Sequence, residues 1–439
     1  MPNNSYTQNF QEAISRLNSN QKKAVNAIDG CVMVIAGPGS GKTQILSLRI
    51  ANILEQTDAI PSSILCLTFT DNASYNMKLR LGRFLGQQAS KVNIFTFHSF
   101  AKYIMEQFPE YFFLGSYLKP LDPINKLLLV EQILESLSMS YVIGAKGLQD
   151  EFVYINSIIS NIAEIKKFGL NPNQFTDVVK ENQDYLDDNG TKIEELLSIE
   201  SRAKNIELIK SGLQDILGNT KGKTSQVDVN MLSLEGIING LFTKTLHELQ
   251  DSTKTTAFTE LKKKLSEKGT LKERKVCQKN LELAHIYNLY QIKIRTMGFY
   301  DYEDMILEVV AELKRNEELR LILQERYQYI LVDEFQDTNL AQMELVDGLL
   351  NMEITENNPN LFVVGDEDQC IYKFQGAEIE NLLLFKAKFP KVEVITMTEN
   401  YRSNQAILDF ASGVIDSSST RLSNSPEFSF VNKKLVSMI

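Results

Sequence analysis

The chain has 439 residues, of which 43% are hydrophobic and 23% charged, and its net charge is −10. That length supports two or three domains with cores of their own, and the ordinary composition excludes a low-complexity or disordered polypeptide. No apolar run reaches membrane-spanning length, the N-terminus is polar, and four scattered cysteines and three histidines lack CxxC or metal spacing. The expectation is a cytoplasmic protein with reduced core thiols and no zinc site.

The first informative stretch is "CVMVIAGPGSGKTQILSLRI", residues 31–50. Residues 32–35 form a short β-branched run, as in a buried parallel strand, and Ile45, Leu48 and Arg49 begin a helical period. Between them lies Ala36-Gly37-Pro38-Gly39-Ser40-Gly41-Lys42-Thr43-Gln44. Strand, glycine loop and helix form the setting in which backbone N–H groups and a helix N-terminus converge on a phosphate. There Lys42 reaches the β- and γ-phosphates and the Thr43 hydroxyl ligates Mg²⁺. The pattern is a relaxed one, because Ala36 stands where the stricter form has glycine. Taken alone, the loop is also compatible with a glycine-rich turn and a solvated lysine.

Further apolar runs follow: "ILCLTFT" (64–70), "NIFTFHSF" (93–100), "YILVDEFQDT" (329–338), "LFVVGDEDQ" (361–369) and "VEVITMTENYRS" (392–403). Each ends in polar residues, and helical patterns such as "NASYNMKLRLGRFLG" alternate with the early ones. This alternation predicts an α/β fold with a parallel sheet, its ligands at the carboxyl ends of the strands. Asp333 and Glu334, at one such end, offer a carboxylate to Mg²⁺ and a second to orient or deprotonate water. Residues 109–285 break the alternation and read as an inserted, mostly helical domain. The predicted organisation is therefore 1–108, first part of an α/β domain; 109–285, insertion; 286–439, remainder of the α/β domain. Residues 181–200 hold seven acids against one lysine, and 254–279 hold nine Lys/Arg against three glutamates. Either stretch reads most simply as a solvated helix face.

The segments "LNSNQKKAV", "AGPGSGKT", "LTFTDNASYNMKLRL", "TFHSF", "DYEDM", "VDEFQDTNLAQ", "VGDEDQCIYKFQGA" and "ENYRSN" occur in this order across residues 17–404. Together they resemble the Q, I, Ia, Ib, II, III and IV motifs of superfamily 1 DNA helicases of the UvrD/Rep/PcrA group, with "DYEDM" at the re-entry into the first domain. "IKKFGLNP" is a weaker echo inside the insertion. The resemblance implies a RecA-like P-loop motor domain and an ATP-dependent helicase moving 3′ to 5′, with ATP and Mg²⁺ as cofactors. Its expected partners are single-stranded DNA and duplex junctions, together with a second motor domain, and no membrane. By resemblance, Gln21 reads the adenine edge, Tyr401 stacks on the base, and Gln369 and Arg402 sense the γ-phosphate. Phe69, Tyr372 and Phe374 would be base platforms, each stack contributing ~1–3 kcal/mol without sequence preference. Thr70, Thr96, His98 and Ser99 would touch backbone or sugar. Phe69 also ends an apolar run and is compatible with a core position.

Gln44, Phe374 and Gln375 depart from the group's usual residues, which are arginine, tryptophan and arginine at those places. Motifs V and VI are not found, so the expected activity of this chain alone is weak ATP turnover without unwinding. The alternative reading is a nucleotide-gated DNA-binding module with little or no ATPase; an unrelated P-loop kinase fits the aromatic motifs less well.

Overall fold

The computed structural model describes residues 4–112, 119–137, 141–148, 150–218, 233–250, 255–267, 270–353, 355–356, 358–370, 380–415, 428, 431 and 433–439. Two compact units divide the chain: residues 1–120, 166–169 and 300–439 form one, and 121–165 with 170–299 the other.

The first unit is built on a six-stranded parallel sheet. Its strands are β1 (Val32–Ala36), β2 (Ile64–Thr68), β3 (Asn93–Thr96), β4 (Tyr329–Val332), β5 (Leu361–Gly365) and β6 (Glu393–Met397). Their order is β6-β1-β5-β4-β2-β3, and every pairing is parallel. The expected α/β parallel fold is therefore present.

The near-continuous apolar runs are explained by burial on both faces. Met33, Ile35, Leu65, Leu67, Ile330, Val332 and Val363 point into one core with the helices Phe97–Gln107, Tyr302–Arg315 and Leu340–Leu349. The alternate residues Val32, Val34, Ile64, Cys66, Leu331, Phe362 and Val364 point into the other, with the helices Ser19–Asn26, Lys42–Gln56 and Asp71–Leu85. A side chain such as Leu67, fully buried, contributes about 1.5–3 kcal/mol by leaving water.

Arg49 is the unusual member of the second core. Only 1% exposed, its guanidinium donates to the carbonyls of Ala24 (2.9 Å) and Ile28 (3.0 Å) and lies 4.4 Å from the Phe362 ring centre. Burial lowers its pKa to about 10, which leaves it charged. The residue read only as part of a helical period thus ties the helix Lys42–Gln56 to the chain entering β1.

The run 93–100 is strand only as far as Thr96. There the Thr96 hydroxyl accepts from the Ser99 N–H at 3.3 Å and caps the helix Phe97–Gln107, so local capping overrides the β-prone composition.

The second unit is mostly helical. Its longest helices are Pro172–Ser198 and Lys272–Thr296, with a two-stranded ribbon, Ser266–Glu267 and Thr270–Leu271, beside them. Asn171 and Gln174 form a capping box ahead of the first, with Pro172 in its first turn. These two helices meet closely at Gly190, where an added Cβ would stand 2.5 Å from Arg274 Nη2. Arg274 Nε in turn pairs with Glu194 at 3.1 Å.

The divisions at 120/121 and 299/300 differ from those read at 108/109 and 285/286. Phe112 is buried in the first unit's core, with Phe108 and Tyr111 against it, so the unit extends past 108. A cut at 285 would fall inside Lys272–Thr296, where Ile286, Tyr287, Tyr290 and Ile294 are all buried. Among the described residues, no helix is long and apolar enough to cross a membrane.

Candidate active site

Because all six strands are parallel, their carboxyl ends share one edge of the sheet. The loop after β1 carries Gly39 and Gly41 at φ +69° and +92°, a region open to glycine at little cost. Gly41 starts the helix Lys42–Gln56 with no side chain capping it; the Gln44 N–H donates to the Gly41 carbonyl at 2.9 Å, and the N–H groups of Lys42 and Thr43 stand ahead of it for a ligand. A Cβ at Gly39 would stand 2.8 Å from both Arg402 Cβ and Asn400 Nδ2, so the loop after β6 closes directly over it. Ala36 is a strand residue in register with Met397, where glycine's freedom is not used. That accounts for the relaxed motif.

The loop is held from outside as well. The Gln21 side chain donates to the Ser40 carbonyl (2.9 Å) and accepts from the Asn18 N–H (3.2 Å), closing a capping box. Asn18 Nδ2 donates to the Tyr401 hydroxyl at 3.0 Å, and the Tyr401 N–H donates to the Gly39 carbonyl at 3.0 Å. Asn400 donates to the Pro38 carbonyl and accepts from the N–H groups of Arg402 (2.8 Å) and Ser403 (2.7 Å). Gln21 is thus buried as a brace of the loop, while Tyr401 and Arg402 are exposed beside it.

Asp333 and Glu334 follow β4. The Asp333 N–H continues the ladder to the Leu67 carbonyl (2.9 Å), and Glu334 turns out at φ +49°, a left-handed conformation costing about 1–2 kcal/mol in a non-glycine residue. That turn brings Glu334 Oε2 to 2.6 Å from Lys42 Nζ. Gln336 Nε2 donates to the same Glu334 oxygen (3.0 Å) and to Asp337 (3.1 Å), while Gln336 Oε1 accepts the Asp366 N–H (2.9 Å). Burial first, and the neighbouring Glu334 second, push the Asp333 carboxyl up to about 7, against the opposing effect of Lys42. The same influences bring Asp337 to about 6. After β5, Gln369 Nε2 donates to Asp366 Oδ2 at 2.6 Å.

These groups surround a cavity of about 200 Å³ lined by Pro38, Gly39, Gly41, Lys42, Thr43, Gln44, Arg80, Glu334, Gln369 and Arg402. The donor set fits a magnesium-bound polyphosphate. Thr43 and Asp333 offer hard oxygens, and a divalent cation restores to Asp333 the charge-stabilising partner that burial removes. Arg80 was not among the residues expected here. It lies three turns into the helix Asp71–Leu85, and nothing in its local pattern marks it. Gln336 and Asn400 were likewise missed, although both stand inside recognised segments.

Of the residues expected to meet nucleic acid, Phe69 and Thr70 follow β2, and Thr96, His98 and Ser99 stand at the end of β3 and the start of the helix after it. Phe69 is half-buried and Thr70 exposed after β2; the Thr70 hydroxyl accepts from the Ala73 N–H at 3.1 Å and caps the next helix. Thr96 and Ser99 share a hydroxyl contact of 2.8 Å after β3. His98, half-buried, packs edge-on to Tyr302 at 6.2 Å, and burial lowers its pKa. Tyr372 and Phe374 lie outside the described residues. Of the basic stretch in the second unit, Lys263 and Lys264 are exposed, but Lys262 donates to the Ile199 carbonyl at 2.8 Å.

The model of the family described as UvrD/REP helicase N-terminal domain matches residues 17–390. Among curated relatives, "ATP-dependent DNA helicase PcrA" of Staphylococcus aureus (strain Mu50) is 26% identical over 408 residues, and the protein of the same name from Bacillus subtilis (strain 168) is 27% identical over 410. Each alignment covers 93% of this chain and 41% of the relative, so the chain spans about two fifths of their length.

Proposed function

The chain belongs to the UvrD/REP helicase N-terminal domain family, and from that premise we propose that it is the ATP- and single-stranded-DNA-binding motor portion of an ATP-dependent 3′–5′ DNA helicase. The observation that carries the reading is the Lys42–Glu334 contact across the loop–helix junction, with Asp333 buried beside it. A cation that binds phosphates and a carboxylate that acts on water must stand within a few ångströms of the same scissile bond.

In this reading the first-turn N–H groups and Lys42 bind the β- and γ-phosphates, and Arg80 and Arg402 add charge at the cavity wall. Magnesium, held by Thr43 and Asp333, would neutralise charge on the phosphate oxygens. Glu334 orients the attacking water and accepts its proton, having exchanged Lys42 for that role once phosphates hold the lysine. Gln369 reports the γ-phosphate to the β5 loop. Tyr401 stacks on the base; Gln21 supports the site chiefly through Ser40, and adenine recognition by its amide requires a rearrangement of these bonds. Single-stranded DNA crosses the strand ends at Phe69, Thr70, Thr96, His98 and Ser99, with Tyr372 and Phe374 as further platforms.

ATP hydrolysis measured with and without single-stranded DNA tests the proposal. Hydrolysis stimulated by the strand is the expected result. DNA binding that responds to nucleotide without any turnover would favour the gated-module alternative instead.

A further inference from the structure

Residues 433–439 lie against three parts of the nucleotide site at once. Val436–Ser437 runs parallel to Glu399–Asn400, the Val436 N–H donating to the Thr398 carbonyl and the Met438 N–H to the Asn400 carbonyl, both at 2.9 Å. Leu435 abuts the phosphate loop so closely that a Cβ on Gly37 would meet its Cδ2 at 2.5 Å. Lys433, its side chain 7% exposed, places Nζ 2.8 Å from Asp366, 2.6 Å from Glu367 and 3.2 Å from Asp368.

Asp366, Glu367 and Asp368 set three carboxylates side by side after β5, where they repel one another, and burial raises the pKa of Glu367. Burial alone would also discharge Lys433, but the three acids outweigh it and raise its pKa. The acid closest to the chemistry is Asp366. Its Oδ1 accepts Lys433 and its Oδ2 accepts Gln369, while its N–H donates to Gln336, which bonds Glu334. A single residue, Asp366, therefore joins Lys433 to the γ-phosphate sensor through its carboxylate and to the catalytic glutamate through its backbone N–H and Gln336.

We propose that Lys433 is a positioning residue for nucleotide hydrolysis: by holding the Asp366 carboxylate in place, it sets the Gln369 side chain against the γ-phosphate, and the segment 433–439 is a working part of the site. The proposal rests on the ATP-hydrolysing reading above. It concerns a residue beyond the 17–390 span of the family match. Linkage requires the converse too: a γ-phosphate that engages Gln369 must tighten the docking of residues 433–439.

The test compares Lys433→Met and Lys433→Arg with the parent, measuring ADP affinity, affinity for a non-hydrolysable ATP analogue, and steady-state hydrolysis, all with Mg²⁺. For Lys433→Met, kcat should fall about ten- to a hundred-fold, the scale of a misplaced group at the reacting centre, with ADP affinity little changed. The preference for the ATP analogue over ADP should shrink, and Lys433→Arg should recover most of kcat. Equal losses of ADP and analogue affinity would mark a merely structural role, and unchanged kinetics would refute any role. Should Lys433→Met fail to fold, hydrogen exchange on the parent decides. The Val436 and Met438 amides should gain more protection from the ATP analogue than from ADP, and equal protection overturns the proposal. A parent chain that binds neither nucleotide defeats the functional reading itself, and this proposal with it, before any variant is made.

Discussion

Lys42 Nζ and Glu334 Oε2 are 2.6 Å apart although 292 residues separate them in sequence, and the strands they follow, β1 and β4, have β5 between them. The loop's cation is thus paired with a carboxylate in the structure. In the proposed mechanism, phosphate binding redirects the lysine and frees the glutamate to meet water. Lys42→Ala should therefore abolish nucleotide binding, whereas Glu334→Gln should bind as well as the parent or better. Loss of the base should slow hydrolysis by ~10²–10⁴-fold. Calorimetry beside turnover assays separates the two roles, and equal loss of binding in both variants would contradict the assignment.

A second expectation concerns pH in the absence of metal and nucleotide. Asp333 rises to about 7 in the folded chain from a usual 3.8, and Asp337 to about 6. The native state consequently binds more protons than the unfolded state between these values, and stability falls as pH rises through the window. Asp333→Asn removes the larger share of that loss. It should match the parent near pH 4 and exceed it by roughly 4 kcal/mol at pH 8. Denaturant melts at the two pH values give the comparison; parallel pH profiles for parent and variant would rule the explanation out.

For DNA, an acidic chain needs local and partly non-ionic contacts. Phe69→Ala should weaken single-strand binding by ~1–3 kcal/mol and leave the salt slope nearly unchanged, since a lost stack releases no counterions. Replacing Lys263 and Lys264 should flatten the slope if they meet phosphates; Lys262 is better left intact, because it holds the Ile199 carbonyl. Fluorescence titrations over a range of salt read both quantities. Full-strength binding by Phe69→Ala together with loss of binding in the lysine variant would place the main DNA surface in the second unit.

A stability prediction comes from Lys166, which is fully buried and pairs with Asp301 (2.7 Å) and Asp304 (2.8 Å). Burial pulls its pKa down, yet the two carboxylates outweigh that and raise it. Lys166→Met leaves buried carboxylates without their cation and should cost ~3–5 kcal/mol. A thermal or denaturant melt within 1 kcal/mol of the parent, about the size of an exposed ion pair, would show that the pair is solvated in solution.

The sequence by itself determined the elements and their chemistry. Continuous burial in β1 follows from an apolar run suited to a sheet covered on both faces, and the glycine loop with Lys42 and Thr43 is legible because its parts are adjacent. Polar strand ends placed Asp333, Glu334, Gln369 and Arg402 on one edge once the sheet was inferred to be parallel. The tertiary structure decided which of them touch. Strand order β6-β1-β5-β4-β2-β3 brings Glu334 to Lys42, sets Asn400 on Pro38, spends the Gln21 amide on Ser40, and carries Arg80 to the cavity wall. It also resolved Phe69 as half-buried and Arg49 as a core residue. The physical reason is one of range. Periodicity and capping act over a few residues and are written in each window, whereas a pairing across hundreds of residues depends on how strands are ordered, which no single window contains.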